Sequence, residues 1–199
     1  MTNGSAEIRL GTGQRGGSSP AAAPTVASRL DRVDGLLEWC QDALDGMPSP
    51  RSPELLRSLG RLHVVNSWQW DAEDRVRQVG DDEIPTVKRE IDELNSLRHE
   101  LIEHIDRVLS ASWQVDDSVP PLTESMGSAL DRLSVLSLRI AQTRRRAGHG
   151  AEAAERIEIL RRQRHDLVWS IAVACGDLAS GRRRTPRPER MKLYGESER

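Results

Sequence analysis

Residues 55–79, LLRSLGRLHVVNSWQWDAEDRVRQV, decide the fold class. Leu55, Leu59, Leu62, Val65, Ala72, Val76 and Val79 recur in steps of three, four and seven. Such steps gather side chains on one face of a helix, because 3.6 residues complete a turn. A half-buried strand would alternate every second residue, and this stretch does not. Ser52-Pro53-Glu54 precedes it as an N-cap followed by a proline in the first turn. Gly80 closes it.

The same period extends in both directions. Upstream, Val26, Leu30, Val33, Leu36, Leu37, Cys40 and Leu44 form a first helix that stops at Gly46, before Pro48 and Pro50. Downstream, Asp81 or Asp82 starts a third helix that tolerates Pro85 in its first turn. Its seam is Val87, Ile91, Leu94, Leu101, Ile105 and Val108. After the loop WQVDDSVPPL, a fourth helix runs from Ser128 to about Arg146 through Leu130, Leu133, Leu136, Leu138 and Ile140. Gly148 and Gly150 break it. The fifth runs from about Ala151 to Ser180 through Ile157, Leu160, Leu167, Ile171 and Leu178, and Gly181 stops it. The prediction is an all-α fold, a bundle of about five mostly antiparallel helices. Residues 1–24, rich in Gly, Ser, Ala and Pro, read as a disordered tail; 25–181 are the bundle; 182–199 are a basic tail.

Composition narrows the function classes. Net charge is −2, so there is no global attraction to nucleic acid or anionic membrane. The distribution is uneven: residues 71–106 hold twelve acids and five bases, and 182–199 hold seven bases and three acids. The short basic stretch GRRRTPRPERMK has no aromatics, which makes it weak evidence for a nucleic-acid partner. No apolar run approaches the roughly 18 residues of a membrane span, and there is no signal-peptide pattern. The two cysteines, Cys40 and Cys175, lack metal-ligand spacing and read as reduced packing residues of a cytoplasmic protein.

Two polar rows stand out. On the second helix, His63, Asn66, Trp70, Glu73, Asp74 and Arg77 share one face, one residue on from the apolar seam. The third helix repeats the device with Lys88, Asp92, Asn95, His99, Glu103 and Asp106. A row that flanks a core is partly buried, and buried polar groups need partners. The rows are therefore expected to face each other, forming either a register-fixing network or a pocket for a ligand or metal. Trp70 belongs to this row. Trp68 lies about 200° away round the helix and is assigned to packing. Ser128-x-x-Asp131 reads as a capping box for the fourth helix. Alternatively, that helix start is an anion site, with Gly127 allowing close approach and Arg132 assisting.

These blocks carry a family resemblance. Leu62-His63-x-x-Asn66-x-x-x-Trp70-x-x-Glu73-Asp74-x-x-Arg77, then VKREID, then Asn95, Arg98, Leu101, Ile102 and Glu103, then GS-x-x-DRLSVLSLRI and MKLY, resemble the bacterial family catalogued as domain of unknown function 4254. The resemblance spans about residues 55–194. Asp71 stands where the family pattern expects His, and His99 where it expects Asn. The resemblance implies a helical bacterial protein with a link to glycosyl transfer and surface polysaccharide. It supplies no mechanism.

The leading reading is a cytoplasmic accessory or ligand-binding protein. Its pocket, between the second, third and fourth helices, receives an anionic molecule such as a sugar nucleotide. The alternatives are a metal-dependent hydrolase of phosphorylated nucleotides or sugars, and a structural partner of a glycosyltransferase. A divalent cation is the candidate cofactor, with Asp74, Glu103, Asp106 and Asp131 as its candidate ligands. Arg77, Arg98 and Arg132 are the cations that would neutralise such a cluster and remove the motive for a metal. Other chemistries find less support. No His follows a Glu by three residues, as a di-iron bundle requires. Asp71-x-x-Asp74 and Glu90-x-x-Glu93 only loosely imitate a pyrophosphohydrolase magnesium site. There is no strand-linked phosphate loop or nucleophile turn.

Overall fold

The computed structural model describes residues 40–45, 52–113, 116–146 and 151–186. Within them lie α1 (Gln41–Asp45), α2 (Pro53–Val76), α3 (Ile84–Ser110), α4 (Met126–Arg146) and α5 (Ala151–Ala179), and no strand. The all-α class follows directly. The predicted tail 1–24, the first helix before residue 40, the glycine break at 148–150 and the MKLY block lie outside the described residues.

Local chemistry sets the helix ends. The Ser52 hydroxyl accepts from the Leu55 amide at 3.1 Å, and Pro53 occupies the first turn of α2. α3 starts at Glu83 without a side-chain cap. α4 begins two residues earlier than the sequence suggested. Ser125, not Ser128, is its capping hydroxyl and accepts from the Ser128 amide at 3.1 Å. Gly181, at φ +68°, ends α5 in the left-handed conformation that glycine adopts without a Cβ clash. The Arg182 amide then reaches back to the Asp177 carbonyl at 2.9 Å, as in a Schellman closure.

Cross-helix contacts give the topology. Glu54 meets His104, Gln69 meets Asn95, and Arg75 meets Glu90. One number rises as the other falls, so α2 and α3 run antiparallel. Arg98 with Asp131 and Asp106 with Gly127 show the same for α3 and α4. Leu59, Leu62 and Val65 from α2, Leu94 and Ile105 from α3, Leu130 and Leu133 from α4, and Ile171 and Cys175 from α5 share one core. Fully burying a leucine contributes about 1.5–3 kcal/mol. Both cysteines are buried, and burial pushes the Cys175 thiol up to about 11. Among the described residues no helix is long and apolar enough to cross a membrane.

Two details fix how α4 sits. A Cβ on Gly127 would lie 2.6 Å from the Ile102 carbonyl oxygen, so only glycine allows this approach to α3. Asp106 accepts from the Gly127 amide at 2.6 Å, tying the start of α4 to α3. At the far end of the chain, Arg184 and residues 120–122 exchange backbone hydrogen bonds, and Arg182 pairs with Asp177. The residues just beyond α5 are thus held against the α3–α4 loop.

Candidate ligand-binding site

The polar row of α2 turns toward α4 rather than toward the row on α3. Asn66 is 5% exposed and its amide nitrogen donates to Asp131 Oδ1 at 2.9 Å and to Ser134 Oγ at 3.0 Å. Ser134, fully buried, also lies 2.9 Å from His63 Nδ1. Arg98 closes the group from α3. Its guanidinium donates through Nε to Asp131 Oδ1 at 2.9 Å and through Nη2 to Oδ2 at 2.5 Å. This two-point geometry is the strong form of a carboxylate–guanidinium pair, and the hydrogen bond to Asp131 holds Arg98 above its ordinary range. Burial pulls His63 down to about 4, so the imidazole is neutral at pH 7.

Beside this buried group lies a cavity of about 350 Å³. Asn66, Gln69, Trp70, Glu73, Asp74 and Arg77 of α2 line it, with Arg98, Val135 and Arg146 opposite. Asp74 is paired with Arg146 and, at 3.4 Å, with Arg77. Three lining residues carry buried hydrogen-bonding atoms with no partner among the described residues: Asn66 Oδ1, Gln69 Oε1 and Trp70 Nε1. Trp68 instead packs against the hydrophobic core.

The α3 row has a different fate. Lys88, Asp92, His99 and Glu103 are exposed. Asn95 is half-buried and accepts from Gln69 Nε2 at 2.9 Å. None of the described hydrogen bonds or ion pairs joins Glu73 or Asp74 to Lys88, Asp92, Asn95, His99 or Glu103. The expected facing rows are therefore corrected to an α2–α4 contact completed by Arg98. The seam of α3 defines only the centre of its buried stripe. α4 meets α3 at Arg98, Ile102 and Asp106, so of the row it takes in Asp106, while Lys88, Asp92, His99 and Glu103, elsewhere on the row, stay in water.

The capping-box reading of Asp131 is corrected as well. Asp131 is 4% exposed and its carboxylate accepts from Arg98 and Asn66, and none of the described hydrogen bonds joins it to an α4 amide. Ser128 Oγ accepts from Ser125 Oγ at 3.1 Å. Arg132 pairs with Glu124 at 2.5 Å and lines a neighbouring cavity rather than this one. The four candidate metal ligands are not brought together. Asp74 and Asp131 are paired with arginines, Glu103 is exposed, and Asp106 of α3 accepts from the Gly127 amide at the start of α4. Desolvation raises Asp106 above the usual carboxylate range, against hydrogen bonds from Ser125 and Gly127. Among the described residues no three His, Cys, Asp or Glu side chains group so as to hold a metal ion.

Ser134 was absent from the sequence-derived site, and Arg98 entered it only as a cation that would neutralise the acids, the role it takes at Asp131. Arg98 had a legible signal: it stands at seam spacing, four after Leu94 and three before Leu101. An arginine on an apolar seam needs a buried acid. Ser134 had no comparable mark. Ser134 beside His63 does not make a nucleophile–base pair that substrate can reach, because the serine is fully buried.

Fold and site together define a helical bundle with a polar interior joint and an adjoining polar cavity. The chain belongs to the family described as Protein of unknown function (DUF4254), whose model matches residues 56–186. No curated protein and no solved structure matches it.

Proposed function

We propose that the chain binds a small hydroxylated anion, with the chemistry of a sugar nucleotide or related phosphorylated sugar, in the cavity between α2, α3 and α4. The supporting observation is the set of unpartnered atoms at Asn66, Gln69 and Trp70. A buried polar atom left unpaired costs about 1–3 kcal/mol, so three along five residues of one helix mark a place built for something else. Asn66 Oδ1 and Gln69 Oε1 accept, and Trp70 Nε1 donates. Hydroxyl groups serve both kinds. The indole ring offers an apolar face to a sugar ring, and Arg77 and Arg146 at the same cavity supply charge for an anionic group. An accessory role beside glycosyl transfer accords with this chemistry and with the family resemblance.

The test is thermal unfolding with glucose 1-phosphate, a uridine diphosphate sugar, free glucose and inorganic phosphate as separate probes. A phosphorylated sugar present at one hundred times its dissociation constant raises stability by about 2.7 kcal/mol. Gln69→Leu and Trp70→Phe, each removing one hydrogen-bonding group, weaken that binding about tenfold. Protection by none of the probes, or undiminished binding by both variants, overturns the reading.

A further inference from the structure

The outer face of α5 carries three large apolar side chains among its charges. Ile159, Trp169 and Val173 are 50%, 68% and 49% exposed. They lie on one line, Glu155, Ile159, Arg162, Asp166, Trp169, Val173 and Gly176, in alternating steps of four and three. That is the seam spacing of helices that pair side by side. The bundle uses a different line of α5, through Ala153, Leu160, Leu167, Ile171 and Leu178. A Cβ on Gly176 would touch nothing within 4 Å. α5 therefore has two seams, one filled by the bundle and one open.

The open seam complements itself. Laid antiparallel against a copy about an axis level with Arg164, it places Ile159 opposite the copy's Trp169 and Arg162 opposite the copy's Asp166. Glu155 falls opposite the copy's Val173. The central rung is thus a pair of opposite charges, made twice, flanked on both sides by apolar rungs. Arg162 is held only by Glu158 of its own helix, at 3.5 Å, and Asp166 enters no ion pair among the described residues. A hollow of about 480 Å³, lined by Leu122, Met126, Trp169 and Val173, adjoins the line, so the surface offered is concave as well as apolar. Isologous pairing about a two-fold axis is the commonest way such a surface is covered. We propose that this face of α5 is the interface of a two-fold antiparallel dimer, and that its partner is a second copy of this chain.

Sedimentation velocity on the full chain across a wide concentration range tests this. The expected species has twice the 22.2 kDa mass of the chain. Trp169→Glu gives the monomer. Arg162→Asp and Asp166→Arg each set like charges against each other twice per dimer and raise the dissociation constant about tenfold. The double variant restores the pair of opposite charges and the original dissociation constant. All three positions are exposed, and circular dichroism checks that the helices remain. A monomer at every concentration, a dimer unaffected by Trp169→Glu, or a double variant no tighter than the single ones overturns the proposal.

Discussion

On α2 the row one residue on from the seam runs into the protein. His63 and Asn66 meet Ser134 and Asp131, and Trp70 lines a cavity. On α3 the corresponding Lys88, Asp92, His99 and Glu103 stand in water. The two rows have the same spacing and similar residue types. A bundle helix buries a stripe wider than its seam, and a third helix decides which flank of that stripe is covered. Here α4 covers the row of α2, whereas on α3 it reaches Arg98 and, of the row, Asp106.

The strongest way to break this contrast is to remove the acid that joins the three helices. Asp131→Ala leaves Arg98 without its carboxylate and is expected to cost about 3–5 kcal/mol in urea denaturation. A loss under about 1 kcal/mol would mean that the Arg98–Asp131 pair is not a structural joint. Gly127→Ala probes how closely α4 must approach α3. The new methyl meets the Ile102 backbone oxygen, and the shift it forces is expected to cost about 1–3 kcal/mol. A stability equal to that of the unmodified chain would show that α4 moves aside freely.

A third measurement uses pH. Burial depresses His63 to about 4 from its ordinary 6.5, so between these values the unfolded chain binds a proton that the folded chain refuses. This contribution is therefore fully present above pH 6.5 and is lost as pH falls toward 4. After allowance for partial solvent screening it amounts to about 1–2 kcal/mol. Urea midpoints at pH 7 and pH 4.5 should fall farther apart in the unmodified chain than in His63→Gln. Equal separations would place the ring in water. The smallest effects belong to the solvated row: Asp92→Ala and Glu103→Ala should each stay within about 0.5 kcal/mol. A larger loss from either, in the same urea titration, would erase the contrast between the two helices.

The sequence alone determined what is local. Helix positions, the Ser52 and Pro53 start, the Gly181 stop and the seams through Leu59, Leu94 and Leu133 follow from period and capping, which neighbouring residues set between themselves. It also marked His63, Asn66, Trp70 and Asp131 as polar residues beside apolar lines. Tertiary structure alone decided their partners. Asp131 sits at a spacing that suits a capping box, yet Arg98 and Asn66, 33 and 65 residues away, hold it instead. Asp74 and Glu103 look alike on helical wheels, yet one is paired with arginines and the other is exposed. Periodicity records the angle of a side chain about its own helix axis. It carries no record of where the third helix lies, and that position separates a buried joint and its cavity from an ordinary solvated face.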